Sequence, residues 1–361
     1  MQSIKNTILK EDLAKIFADF TEKEKLRDST IFITGCAGFL GYYFLCFFIY
    51  YSGKLGIKKI IGVDNFLVGE NKWVEDLERK SSGRFVFHHF DVVTNQLKDI
   101  PNVKDANYII HMASVASPVY YRKFPMETLD ANIVGLRKLL EFYKHQNIDG
   151  LLMFSSSEIY GEPIPEQIPT PEEYRGNVAT IGPRACYDEA KRFSETLCYL
   201  FSKVYNMSVT LVRPFNNYGP GMNINDGRVP ADFARAVVEN RDITIYSDGS
   251  PTRTFCYISD AIVGYLKTLV YKSFDVFNIG IDRPEISILE LARIYKEQGK
   301  KIIGYSGKIN FSPPPEKDYM IHNPNRRCPV IDKARKNLGY APKIDVATGV
   351  GRFIQYLSRG I

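Results

Sequence analysis

The chain has 361 residues, 45% of them hydrophobic and 24% charged, which is long enough for a sizeable core and two domains, or one domain with a lobe. Its net charge of +6 suits an anionic ligand, but no dense Lys/Arg block or aromatic RNA-binding signature accompanies it, so nucleic acid is set aside as a partner. Six cysteines (Cys36, Cys46, Cys186, Cys198, Cys256, Cys328) lack CxxC spacing and five histidines form no ligand pattern, so reduced thiols, a cytoplasmic location and no metal are expected.

Residues 1–28 read as an N-terminal helical extension. Leu9, Leu13, Ile16, Phe17 and Phe20 fall at helical spacing, and the segment lacks the long apolar core and cleavage site of a signal peptide. Such a helix packs on the body of the protein or on a second subunit. A short β-rich run, Ile31 to Thr34, then leads into Gly35, Gly38 and Gly41. A strand, a glycine turn and a helix let backbone amides approach a pyrophosphate at the positive helix N-terminus. The run Phe39 to Tyr51 is apolar and uncharged, but it falls short of the ~20 residues of a membrane-spanning helix. It is expected to lie buried against a sheet, not in a membrane. The next strand, "KKIIGVDNF", ends in Asp64, about 23 residues beyond Gly41, close to where a dinucleotide fold places its ribose-binding acid. An acid there repels a 2′-phosphate and favours NAD over NADP.

Three further strand-like segments follow, "RFVFHHFDVV", "ANYIIHMAS" and "GLLMFSSSEIYG", separated by helical patterns such as Thr128 to Gln146. Alternation of this kind predicts an α/β fold with a Rossmann-type, doubly wound parallel sheet. Ligands of such sheets bind beyond the carboxyl ends of the strands, and Asp91, Ala113, Ser114 and Ser155 to Glu158 occupy those ends. The stretch "IGPRACYDEAKRFSE" then places Tyr187 and Lys191 four residues apart on one helical face. A nearby ammonium favours the phenolate, and free tyrosine titrates near ~10, so the pairing predicts that Lys191 lowers Tyr187 into use as a base. An isolated YxxxK is more often a surface pair; the dinucleotide signals around this one make it a catalytic candidate.

In GxxGxxG, Asp64, "HMASVAS", "SSSEIYG", YxxxK and "RPFNNYGP" the chain resembles the extended short-chain dehydrogenase/reductases that modify nucleotide sugars. The stretches "IGPRACYDEAKR", "NDGRV" and "RTFCYISD" look most like the UDP-glucuronate decarboxylase (UDP-xylose synthase) family. By this resemblance Gly35, Gly38, Phe39, Leu40, Gly41, Asp64, Asn65, Asp91, Val92, Ala113, Ser114, Tyr187 and Lys191 hold NAD. Ser156, Ser157 and Glu158 border the sugar and, with Tyr187, Lys191 and Arg327, form the catalytic set. Tyr121 touches the carboxylate end of the sugar, and Asn216, Arg228 and Arg253 hold the UDP. The implied reaction oxidises the sugar at C4, loses CO2 from the resulting β-keto acid and reduces the ketone again. A homodimer is implied in the same way.

The alternatives are a 4-epimerase, a 4,6-dehydratase, or a catalytically silent NAD sensor or scaffold. Ser156-Ser157-Glu158 stands where dehydratases carry Thr-Asp-Glu, which removes the acid needed to expel a hydroxide. Cys36 replaces a glycine usual in the nucleotide loop, and Gly221 stands where that family has an arginine. The NAD-binding domain is expected over 29–212 plus 253–283, and a smaller, discontinuous α/β sugar-nucleotide lobe over 213–252 plus 284–361. "SPPPEKD" and "NPNRRCP" are expected as mobile, proline-stiffened loops near the substrate.

Overall fold

The computed structural model describes residues 6–69, 72–314 and 321–358. Its first helix, α1 (Thr7–Asp19), begins at Asn6, whose side chain accepts a hydrogen bond from the Leu9 amide at 3.2 Å. The stripe read from the sequence is the buried one: Leu9, Leu13 and Ile16 face inward, and the half-buried Phe17 stacks on Tyr51 with ring centroids 4.2 Å apart. The helix packs on the body of its own chain, against the helices Phe39–Leu55, Ile258–Leu269 and Val346–Ser358.

Six strands, β1 (Thr30–Thr34), β2 (Lys59–Asp64), β3 (Phe85–His89), β4 (Tyr108–His111), β5 (Gly150–Phe154) and β6 (Val209–Pro214), are joined by a seventh, Asp275–Ile279. The order across the sheet is Asp275–Ile279, β6, β5, β4, β1, β2, β3, and every pairing is parallel. A parallel sheet needs cover on both faces, and the alternation of side chains along each strand supplies it. Ile31, Ile33, Ile110, Leu152 and Val212 join one core, while Phe32, Ile109, Leu151, Met153 and Leu211 join the other. The apolar run forms α2 (Phe39–Leu55), which is buried on the first of these faces. Among the described residues no helix is long and apolar enough to cross a membrane.

The single helix expected over Thr128 to Gln146 is broken into three parts. Pro125–Asp130 and Leu136–Tyr143 are α-helical, and Ala131–Gly135 between them is a π-turn. Its Asn132 donates to the Thr128 carbonyl at 2.7 Å and to Ser114 Oγ at 3.0 Å. Side chains that bond to nearby backbone compete with the regular helical ladder, which hydrophobic periodicity does not register.

Three short sheets lie beyond the carboxyl ends of the central strands. Thr252–Arg253 pairs with Ile286–Ser287 on one side and with Arg326–Arg327 on the other. This register sets Arg327 directly beside Arg253. The other two join Ile243–Ile245 to Ile309–Phe311 and Asn217–Tyr218 to Cys256–Tyr257. Of the two proline-rich loops, residues 315–320 lie outside the described residues, and the second carries Asn323 and Arg327 into a cavity wall.

Candidate active site

Gly35, Gly38, Phe39, Leu40, Gly41, Asp64, Asn65, Asp91, Val92, Ala113 and Ser114 all line one crevice at the carboxyl edge of the sheet. Gly35 has φ +69°, and a Cβ there would sit 2.7 Å from the Ala113 nitrogen; at Gly41 it would sit 2.2 Å from the Cys36 carbonyl oxygen. These two glycines let the turn close on itself. Gly38, which caps α2, is different: a Cβ there would meet nothing nearer than the Gly35 carbonyl oxygen at 3.5 Å, so its absence leaves the crevice floor open. The first amides of α2 are free of helical partners and carry the positive end of the helix dipole, a suitable seat for phosphate.

Two carboxylates are fixed in the wall. Asp64 accepts the Ala37 amide at 3.0 Å and the Phe66 amide at 2.9 Å; burial raises its carboxyl, and those amides oppose the rise. Asp91 accepts from Asn65 Nδ2 at 2.8 Å and from the Val93 amide at 2.7 Å. An open glycine floor, a helix N-terminus and acids able to accept ribose hydroxyls fit a dinucleotide without a 2′-phosphate.

A second cavity adjoins the first, sharing Phe39, Leu40, Met112, Ser114 and Arg228 with it. Ser156, Ser157, Glu158, Tyr187, Lys191, Asn216, Arg228, Arg253 and Arg327 line it together. Tyr121 does not. It is 1% exposed and lies behind Tyr187, ring on ring at 5.2 Å, while Pro118, Val119 and Arg122 of the same helix reach the cavity. Helical geometry turns Tyr121 inward when its neighbours face the ligand space, so it braces Tyr187 and does not line the sugar space.

The Tyr187–Lys191 pair also differs from expectation. Lys191 Nζ is 5.6 Å from the Tyr187 ring centroid and donates to the Phe154 carbonyl at 2.7 Å. Burial pushes Tyr187 up to about 12, partly offset by a hydrogen bond with Ser156. Burial likewise pushes Lys191 down to about 7. Burial, the largest cause at each group, moves the phenol up and the ammonium down.

Glu158 is clamped by two arginines on one oxygen. Arg184 Nη2 lies 2.5 Å and Arg327 Nη2 2.6 Å from its Oε2. Burial alone would raise this carboxyl, but Arg184 and then Arg327 overcome it and hold Glu158 well below the usual carboxylate range. Asn216 donates to the Thr254 carbonyl at 2.8 Å, and Arg228 to Asp226 at 2.8 Å. Arg253 is buried and ties down the loop that carries Arg327, donating to the carbonyls of Thr252 at 2.7 Å, Asn325 at 2.9 Å and Pro324. Burial, and next the charge of Arg327, lower it to about 9.

Two further members of this cluster, Arg184 and Asp188, do not stand out in the sequence. They lie inside the quoted Tyr-Lys stretch at i and i+4, 3.5 Å apart and 6% and 5% exposed. An i,i+4 Arg/Asp pair ordinarily reads as a solvated helix face; the buried turn carrying Glu158 makes it part of the site.

A family model described as "NAD dependent epimerase/dehydratase family" matches residues 31–280. UDP-glucuronic acid decarboxylase 1 of Xenopus tropicalis is 34% identical over 97% of this chain and 79% of its own length. UDP-glucuronic acid decarboxylase 1 of Arabidopsis thaliana is 35% identical over 90% of this chain and 68% of its own. Among solved structures, UDP-glucose 4-epimerase of Thermotoga maritima superposes with a TM-score of 0.78 at 25% identity, covering 92% of this chain and 99% of that one. UDP-glucuronic acid 4-epimerase of Bacillus cereus, at 24% identity and TM-score 0.73 over 92% of this chain and all of its own, shares the fold. A glycine-floored dinucleotide crevice opening onto a cavity with a buried tyrosine and lysine is thus the site of a chain that belongs to the NAD dependent epimerase/dehydratase family.

Proposed function

We propose that this chain decarboxylates UDP-glucuronate to UDP-xylose through a 4-keto intermediate, using bound NAD. The observation that carries the reading is the convergence of Arg184 and Arg327 on Glu158 inside the cavity of Tyr187. The curated relatives, named as decarboxylases of UDP-glucuronic acid, support it.

Oxidised NAD, when bound, supplies positive charge and a reversible acceptor for the hydride of sugar C4. Tyr187 takes the C4 hydroxyl proton, with Ser156 as its hydrogen-bond partner. The C4 ketone and the carboxylate on C5 then form a β-keto acid. Its C5–C6 bond breaks, CO2 leaves, and the electron pair enters an enolate that protonated Tyr187 and the neighbouring serines stabilise. C5 takes a proton, ultimately from solvent; with the hydride returned to C4, Tyr187 gives its own proton back to O4, and the 4-ketone is again a hydroxyl. Arg327 supplies a fork for the sugar carboxylate. The same clamp argues against dehydration, since an ionised Glu158 flanked by Ser157 has no proton to give a departing hydroxide.

A homodimer fits this reading. The adjacent helices Pro125–Tyr143 and Ala185–Tyr205 expose Met126, Val134, Phe193, Leu200 and Val204, an apolar surface that a second copy would cover.

Incubation with UDP-glucuronate and NAD, with products identified by mass and NMR, tests the activity. CO2 and UDP-xylose are expected. Recovery of an uncleaved uronic acid inverted at C4 would replace the reading with a 4-epimerase, and a 4-keto-6-deoxy sugar formed from dTDP-glucose with no CO2 from UDP-glucuronate would replace it with a dehydratase.

A further inference from the structure

Two arginines bond Glu158 directly, and Arg253 acts on it from further away. Arg184 and Arg327 both bond its Oε2, and a sugar carboxylate arriving at Arg327 would add a second negative charge to a buried site. Asp188 is the other acid there. It is 5% exposed, its Oδ2 lies 3.5 Å from Arg184 Nε, and its Oδ1 has no hydrogen-bond partner. Tyr121 Oη, in the same cluster, is also buried without a partner. A bare, ionised carboxylate oxygen is costly in such a place, and protonation relieves the cost.

Resting on the UDP-glucuronate reading, we propose that Asp188 is a positioning residue that takes up a proton when the acidic sugar binds, so that Arg184 and Arg327 can serve the substrate carboxylate and Glu158 together. The groups that face it are Arg184, Cys186 and Tyr187 of its own helix, Glu158 from the turn after β5, Arg327 from the strand Arg326–Arg327, and Tyr121 from the helix Pro118–Lys123. Their balance divides the two acids. Glu158 holds both guanidiniums directly and stays ionised, whereas burial and then the charge of Glu158 push Asp188 up to about 7 against the pull of Arg184. A further anion nearby raises it again, because like charges disfavour ionisation. A neutral hexose brings no such charge. Asp188 acts through Arg184 and Glu158 and takes no part in bond breaking.

The experiment is calorimetry of NAD-loaded protein at pH near ~7.5, in two buffers of different protonation heat, with UDP-glucuronate and UDP-glucose as ligands. It is run in the Tyr187→Phe background, so that turnover adds no protons of its own. UDP-glucuronate is expected to take up roughly half a proton or more beyond UDP-glucose, and adding Asp188→Asn should abolish that difference while binding persists. Equal uptake for the two sugars, or an excess that survives Asp188→Asn, overturns the proposal. If Asp188→Asn does not fold, the pH dependence of binding in Tyr187→Phe decides. UDP-glucuronate affinity should fall relative to UDP-glucose as pH rises through the titration of Asp188, and parallel curves overturn the proposal. CO2 release by the wild type is measured separately. Release with equal proton uptake removes the role of Asp188 alone, whereas no release removes the decarboxylase reading and this proposal with it.

Discussion

Asp12, buried in the N-terminal helix, and Glu158, half-buried at the carboxyl end of β5, are both carboxylates held by arginine, yet their surroundings are built in opposite ways. Asp12 accepts from Tyr43 Oη at 2.8 Å and Tyr257 Oη at 2.7 Å on one oxygen, and from Arg352 Nη2 at 2.8 Å on the other. Arg352 also reaches Glu11 at 2.9 Å. Side chains from α1, α2, the Cys256–Tyr257 strand and the C-terminal helix thus meet on one fully bonded carboxylate away from either cavity. Glu158 faces a cavity, takes two guanidiniums on a single oxygen, and has the buried Asp188 Oδ1 and Tyr121 Oη nearby without hydrogen-bond partners. A closed network of satisfied groups fastens a fold; one with unsatisfied members beside open space awaits a ligand.

The sharpest separation should come from Tyr187→Phe. With the ring kept against Tyr121, turnover should fall by about 10²–10⁴-fold while the thermal midpoint barely moves. Near-normal CO2 release would place the base elsewhere.

Asp12→Ala should do the reverse. It strands Arg352 and two tyrosine hydroxyls, so stability should drop by about 3–5 kcal/mol, measured by urea unfolding. Activity per folded molecule should hold. A variant that folds well but binds UDP-glucuronate poorly would erase the distinction between the two clusters.

Arg327→Ala probes the functional side more finely. Loss of a charge-assisted bond worth ~1.5–3 kcal/mol should weaken UDP-glucuronate by roughly 10- to 100-fold and leave binding of UDP-glucose little changed. Equal loss for both sugars would make Arg327 a structural residue or a phosphate ligand.

The smallest effect is in pH. The carboxyl of Glu158 is held below its ordinary value of 4.5. Its contribution to stability is therefore present above 4.5 and disappears as the pH falls toward the depressed value. Asp12, raised above 3.8, works in the opposite sense: its contribution is present at lower pH and is lost as pH rises through its folded value. Urea midpoints between pH ~3 and ~5 should show Glu158→Gln with less acid sensitivity than wild type, and Asp12→Asn with more. Matching slopes would contradict both assignments.

The parts legible in the sequence were those set by local pattern. Strand alternation, the spacing of Gly35, Gly38 and Gly41, and Asp64 at a strand end all follow from period and distance along the chain, and the structure brings these residues to one crevice. What escaped depended on partners distant in sequence. Lys191 is held by the carbonyl of Phe154, 37 residues away, and nothing in YxxxK states that. Arg327 meets Glu158 across 169 residues. Tyr121 was placed at the sugar by motif, but the turn of its helix puts it behind Tyr187. Asp12 resembled any polar residue on an amphipathic helix until Tyr43, Tyr257 and Arg352 enclosed it.

The π-turn at Ala131–Gly135 amounts to one residue more than an α-helix of the same span would hold. Forcing the same residues into a regular α-helix would swing everything after the turn by about 100°. Leu136, Leu139, Leu140 and Tyr143, now in the core, would leave it, and Gly135, whose Cβ would lie 2.6 Å from Val92, would no longer sit against the crevice wall. Deleting one residue from the turn would instead give a regular helix of the same span with that phase kept. The bulge therefore sets the phase between the nucleotide side of the helix and its outer side, and loss of one residue there should be tolerated far more readily than a deletion in the regular turns that follow.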